Sequence, residues 1–208
     1  IVRELVYLNK KGETMIKFID DNFFGYGDKS REKKIANLII NSRINIRFRL
    51  SLRVNDVEDE TIKLLKRAGL FAVSLGVESF VQRKLNDYAK GTTVDQNYKA
   101  INILRKNNIL VQMGFIMFDP FITIEEIEEE LNGLQKTRWA ITKGISTRLF
   151  AADGTPITHT IEERVGFVGR EGTNNLYEII DMKARLFAKA LSYWTKKNNR
   201  LYEKTIDP

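Results

Sequence analysis

Short apolar runs alternate with amphipathic helical stripes along nearly the whole chain, and a parallel sheet with helical crossovers is what accommodates that order. Val2, Leu5 and Leu8 recur at helical spacing, and Gly12 is the expected residue just past that helix. Met15–Asp20 then reads as a short buried strand. Ser30 stands as N-cap of a helix carrying Ile35, Leu38 and Ile39, and Ile44–Val54 is a long alternating strand. Asp56 or Asp59 caps the next helix, with Ile62, Leu65 and Ala68 inward and Gly69 at its end. Phe71–Glu78 is again a strand.

The second half repeats the pattern. Thr93-x-x-Gln96 is a capping box opening a helix through Tyr98, Ile101 and Leu104, and Leu110–Phe118 is the strand that Asp119-Pro120 ends. Thr123-x-x-Glu126 is a further capping box, with Ile124, Ile127, Leu131 and Leu134 as the buried stripe. Ile145–Phe150 reads as the last strand, Asp153–Pro156 as a turn and Leu176–Trp194 as a long closing helix with Ile179, Ile180, Phe187 and Leu191. An open doubly wound sheet and a barrel both satisfy this order.

Composition narrows the class. The 208 residues, 43% hydrophobic and 29% charged, suit a soluble globular domain with a sizeable core. No apolar run approaches the ~18–20 residues of a membrane helix, and no charged-then-apolar leader opens the chain. Ile1 already lies inside an amphipathic pattern, so a segment upstream is expected. The sequence has no cysteine, which excludes a disulfide framework and is compatible with a cytosolic, reducing setting. It also excludes an iron–sulfur cluster held by this chain's own thiolates. The net charge of +7 permits a nucleic-acid partner without supporting one, because Lys and Arg are scattered over helix faces.

Parity along the strands separates a packing face from a face that carries chemistry. Ile46, Phe48, Leu50, Leu52 and Val54 alternate with Arg47, Arg49, Ser51 and Arg53. Three arginines in a closed core would be desolvated at high cost, so that face must line a wet or ligand-filled cavity. In the next strand Phe71, Val73, Leu75 and Val77 share one side. Ala72, Ser74, Gly76 and Glu78 share the other, small residues that leave room for a ligand and end in a carboxylate. Pairing of Arg49 or Arg53 with Glu78 is the plainer alternative. Asp20-Asp21-Asn22 is a further acidic group at a strand end, where an α/β barrel builds its site, although Asp after a strand is commonly a turn former. Phe23–Gly27 reads as a flap or as core anchoring at Phe23. His159 falls in a polar loop as a surface residue, and the glycine-rich Arg164–Thr173 has no phosphate-binding lysine.

In order, Ile16–Phe23, Arg53 with Leu64–Gly69, Ser74–Ser79, Lys90-Gly91-Thr92-Thr93 and Gly114–Pro120 resemble the radical S-adenosylmethionine (radical SAM) superfamily. The likeness is nearest to its branch often joined to cobalamin-binding domains, and it spans about residues 1–156. It implies a partial (β/α)6, TIM-like barrel of parallel strands, lacking its first strand in this sequence, over residues 1–156. Residues 157–208 would be a C-terminal loop and helix packed on it. The missing first strand and the CxxxCxxC loop that binds a [4Fe-4S] cluster would lie upstream.

The resemblance implies reductive cleavage of S-adenosylmethionine to a 5′-deoxyadenosyl radical, with cobalamin as an optional further cofactor. It also implies a small-molecule or peptide substrate, an electron donor such as flavodoxin or ferredoxin, transferase-type chemistry and a cytoplasmic location without membrane contact. By the same likeness Asp20, Asp21 and Asn22 stand where the methionine amino group is met. Arg49 or Arg53 stands near its carboxylate, and Glu78 and Ser79 approach the amino acid or ribose. Asp119-Pro120 replaces the family's glycine-proline pair beside Phe118. Thr147, Arg148 and Tyr177 are candidates for setting the substrate. A cysteine-less barrel that binds S-adenosylmethionine or another anionic small molecule without catalysis is the alternative.

Overall fold

The computed structural model describes residues 1–25, 29–138, 140 and 145–198. Helix α1 (Val2–Lys10) leads into strand β1 (Met15–Lys17), helix α2 (Ser30–Ser42) and strand β2 (Arg47–Arg53). Helix α3 (Asp59–Arg67), strand β3 (Leu70–Glu78), the short helix α4 (Gln82–Asp87), helix α5 (Val94–Lys106) and strand β4 (Leu110–Phe115) follow. Helix α6 (Ile124–Lys136), helix α7 (Pro156–Arg164), the hairpin β5 (Gly169–Glu171) and β6 (Asn174–Leu176), and helix α8 (Met182–Lys197) complete the order. The sheet runs β1-β2-β3-β4, with β1–β2 and β2–β3 parallel, as the alternation requires. Among the described residues no helix is long and apolar enough to cross a membrane.

Two compact units divide the chain. One comprises Ile1–Val77 and Asp95–Met113; the other comprises Glu78–Val94 and Gly114–Pro208. The first holds nearly all of the sheet, and its core is built as parity dictates. Phe48, Leu50 and Leu52 of β2 and Val73, Leu75 and Val77 of β3 are all fully buried, while Arg49, Ser51, Ser74 and Gly76 are half-buried. Ile62 and Leu65 of α3 and Ile101 and Leu104 of α5 add to that core. The second unit has its own apolar cluster of Leu149, Ala151, Ile157, Ile161 and Tyr177.

Several expectations are corrected. The β1 strand is shorter than expected and is not buried: among the described residues it ends the sheet and pairs with β2 alone, leaving Met15 55% exposed, and Ile19, beyond the strand, is 87% exposed. Lys29 and Glu58, not Ser30 and Asp56 or Asp59, hold the N-cap positions of α2 and α3; the latter residues start or precede the helices within the usual margin. Phe71 is the extra residue of a bulge, since Phe48 pairs with Leu70 and Arg49 with Ala72. It therefore leaves the apolar side and lies half-buried beneath Arg47, 4.7 Å from guanidinium to ring centre.

Beyond β4 the expected strand over Ile145–Phe150 is reduced to one parallel bridge between Phe118 and Arg148. Pro156 begins a helix at its first position, where it lacks no needed N–H, so exposed His159 lies on α7 and not in a loop. The glycine-rich stretch forms the β5–β6 hairpin, and Leu176 belongs to β6. The closing helix consequently starts at Met182, where the Asp181 carboxylate accepts from the Ala184 N–H at 2.6 Å. Phe23 and Phe24 are buried, which makes them anchors and not a flap; Tyr26 and Gly27 lie outside the described residues.

Candidate functional site

In the first unit, the residues after β1 are pinned from beneath by buried Phe23 and Phe24, and the Phe23 N–H donates to the Ser51 carbonyl of β2 at 2.9 Å. Asp20 and Asp21 project from this turn and are exposed. The Asn22 amide nitrogen donates to the Phe24 carbonyl at 2.6 Å and to the Asp56 carboxylate at 2.9 Å. Its amide oxygen is buried without a hydrogen-bond partner among the described residues. An orphaned buried acceptor costs ~1–3 kcal/mol, and a donor from outside the chain would relieve it.

Arg49 is satisfied by neutral groups. Its guanidinium donates to Ser74 Oγ at 2.9 Å and to Gln112 Oε1, and among the described residues it forms no ion pair. The charge therefore stays available to an anion. Arg53, exposed, stands opposite Gly76 in the parallel register, so a residue without a side chain faces it across the strands.

In the second unit, Glu78 ends β3 with φ of +65°, a left-handed conformation costing a non-glycine residue ~1–2 kcal/mol. Its carboxylate pairs with Lys90 at 3.2 Å, both side chains partly exposed, and its carbonyl accepts from the Ile116 N–H at 2.8 Å. Ser79 is fully buried. Its hydroxyl donates to Glu130 Oε1 at 2.5 Å and accepts from the Val81 N–H at 2.9 Å. The second Glu130 oxygen accepts the Phe80 N–H at 2.7 Å. Lys84, also fully buried, donates to Glu130 Oε1 at 2.7 Å and to the carbonyls of Ile116 and Met117 at 2.6 and 2.9 Å. Burial raises the Glu130 carboxyl above its ordinary value, with Lys84 pulling against it.

A second network surrounds Asp119. Its carboxylate accepts from Tyr88 Oη at 2.9 Å, from the Phe121 N–H at 2.9 Å and, at 3.5 Å, from Arg83. Arg83 grips both oxygens of Glu126 at 2.6 and 2.7 Å and reaches Asp87 at 2.7 Å. Burial pushes the Tyr88 phenol up, and neighbouring Asp119 pushes it further. Burial also works against the Glu126 carboxylate, but Arg83 overrides it and holds the group below its ordinary range. Arg83 thus ties α4 to the start of α6, while Asp119 holds Arg83 and Tyr88 to the turn at Phe121, a structural use for the acid that follows Phe118.

The sequence profile described as the Radical SAM superfamily matches residues 1–133. The chain belongs to the radical SAM superfamily.

Among relatives, the chain is 32% identical over 125 residues to the anaerobic magnesium-protoporphyrin IX monomethyl ester cyclase of Rubrivivax gelatinosus. That alignment covers 56% of this chain and 22% of the cyclase. Among solved structures it resembles the cobalamin-dependent radical enzyme OxsB with aqua-cobalamin and S-adenosylmethionine bound, at a TM-score of 0.83 and 17% identity over 95% of this chain and 36% of that one. It also resembles the radical methyltransferase TsrM from Kitasatospora setae, at a TM-score of 0.63 and 19% identity over 82% of this chain and 34% of that one. The fold is therefore the α/β, TIM-like partial barrel of these cobalamin-associated radical SAM proteins; the chain spans about a third of each of the two solved structures and about a fifth of the cyclase.

The superfamily uses S-adenosylmethionine and a [4Fe-4S] cluster. The two are fitted unequally by this radical SAM chain. With no cysteine, and with no group of three or more His, Asp or Glu placed to hold a metal among the described residues, its own side chains do not fit the cluster. They do fit a zwitterion: among the described residues Asn22 offers an unused buried acceptor, and Arg49 a cation without a counter-ion. Of the residues thought to set the substrate, Arg148 and Tyr177 stack at 5.1 Å and line a cleft of about 320 Å³ with Arg185 and Lys189. Thr147 instead donates to the Phe115 carbonyl at 2.9 Å.

Sequence reasoning missed Lys84, Glu130, Arg83 and the partnership of Lys90 with Glu78. One signal was there. Glu130 falls between Ile127 and Leu134 on the inward stripe of α6, where a charged residue needs a partner.

Proposed function

We infer that this chain forms the S-adenosylmethionine-binding wall of a radical SAM enzyme. The observation that carries the reading is the buried, unpartnered amide oxygen of Asn22 at the carboxyl end of β1, in a chain whose family binds that ligand. The methionine ammonium would be met by Asn22 with Asp20 and Asp21, and the carboxylate by Arg49 or Arg53. Glu78 would serve the amino acid or ribose, and Ser79 would act through the turn it holds. When bound, the cluster supplies the electron for reductive cleavage of S-adenosylmethionine to a 5′-deoxyadenosyl radical. Its thiolates would come from residues outside this sequence.

The likeness to OxsB and TsrM, described respectively as a cobalamin-dependent enzyme and as cobalamin-bound, supports cobalamin as a second cofactor of the whole protein. A small-molecule or peptide substrate, a flavodoxin- or ferredoxin-type electron donor and a cytoplasmic location complete the reading. Residues 1–156 form its barrel portion and 157–208 an extension on it.

The test is S-adenosylmethionine binding by the whole protein, reconstituted without oxygen and followed by calorimetry. Asn22→Leu and Glu78→Gln should each weaken binding about tenfold. Affinity unchanged in either variant removes that residue from the site. The absence of cysteine favours a second reading, a barrel that binds S-adenosylmethionine or another anionic molecule without cleaving it. A whole protein that binds the ligand and contains no iron would be that barrel.

A further inference from the structure

The turn after β3 is held by a device that stability alone does not require. Glu78 sits in the left-handed region at φ +65°, and the two residues after it are both bound by one carboxylate. Glu130 of α6 takes the Ser79 hydroxyl on one oxygen and the Phe80 N–H on the other. Lys84 of α4 then directs its ammonium to Glu130 and to the carbonyls of Ile116 and Met117, which lie just beyond β4. The Glu78 carbonyl receives the Ile116 N–H, so the same pair of segments is joined twice.

Lys84 and Glu130 are both 0% exposed. Removing two charges from water costs several kcal/mol each, and replacing such a pair by apolar residues is often neutral or stabilising. A packed leucine pair would fill this space at less cost. What it would lack is direction: only a group with two aimed acceptors fixes the Ser79 hydroxyl and the Phe80 N–H together, and those two bonds dictate where Glu78 points. Gly133, one turn past Glu130, lets the Phe80 ring approach α6; a Cβ there would fall 2.2 Å from the ring. The turn is thus located by packing on one side and by the buried pair on the other.

We propose that Glu130 and Lys84 are positioning residues that hold the Ser79–Phe80 turn so that the Glu78 carboxylate, with Lys90, is presented to S-adenosylmethionine. The proposal rests on the reading of Glu78 as a ligand contact. Glu130 and Lys84 do not touch the ligand themselves; they act through the backbone of residues 78–80.

The decisive variant is the neutral pair Lys84→Met with Glu130→Gln, in the whole reconstituted protein. It leaves no unpaired buried charge, but its single amide oxygen must serve two donors. The thermal midpoint should stay close to wild type. Hydrogen exchange at the Phe80 amide should speed up about tenfold or more with or without the cluster, and the dissociation constant for S-adenosylmethionine should rise about tenfold. Glu130→Gln alone strands the Lys84 charge and should lower the midpoint as well; should it fail to fold, the neutral pair still carries the test. A neutral pair with wild-type affinity overturns the proposal and makes the network structural. Glu78→Gln run alongside separates the two levels of failure. If Glu78→Gln binds weakly while the neutral pair binds as wild type, the positioning role alone falls. If Glu78→Gln binds as wild type, the placement of Glu78 in the site falls and takes the positioning role with it.

Discussion

Arg83 is the most heavily used side chain in the second unit, meeting Glu126 through two nitrogens and Asp87 and Asp119 besides. The bidentate contact holds the Glu126 carboxyl below its ordinary value, although burial opposes it. A depressed carboxyl contributes stability that is present above its unfolded pKa and is lost as pH falls through the folded one. Wild-type stability should therefore decline as pH falls through and below the ordinary carboxylate range of ~4. Arg83→Gln should be less stable at pH 7, and the gap between the two proteins should narrow as acidification below the ordinary carboxylate range protonates Glu126. Denaturant midpoints across that range measure it, and a constant gap would show that Arg83 acts through packing alone.

At the scale of elements, what the sequence made legible is what periodicity encodes. The β2 strand kept its parity because every second side chain is apolar and buried. The Thr123–Glu126 capping box formed because both halves of the motif are local, and each side chain takes the other's backbone N–H, at 3.1 and 3.2 Å. The start of α8 was misread because Ile179 and Ile180 continue its apolar spacing while the Asp181 cap, a single local bond, carries less visible weight. The site followed the same rule. Asn22, Arg49 and Glu78, which we propose as ligand contacts, stand out from strand ends and parity, but Lys84 and Glu130 do not. Their pairing joins α4 to α6 across 46 residues, and each alone looks like one more surface charge. Gly69 shows how one position sets an element junction. It joins α3 to β3 at φ +113°, and a Cβ there would sit 2.2 Å from the Ile46 carbonyl oxygen. Gly69→Ala should cost about 3 kcal/mol, from strain at the positive φ plus displacement of the Ile46 carbonyl. A loss within about 0.5 kcal/mol in chemical denaturation would contradict the geometry.

The whole molecule presents an imbalance: residues suited to a zwitterionic ligand, in a radical SAM chain with no thiolate for the cluster. The chain spans about a fifth of the Rubrivivax gelatinosus cyclase and about a third of OxsB. The central claim is that this wall serves reductive cleavage. The measurement that tests it most directly is made on protein from the complete reading frame, reconstituted without oxygen, reduced and supplied with S-adenosylmethionine, with iron, acid-labile sulfide and 5′-deoxyadenosine quantified together. The account predicts about four iron and four sulfide per chain and 5′-deoxyadenosine that appears only on reduction. Iron-free protein that binds S-adenosylmethionine and releases no 5′-deoxyadenosine would contradict it.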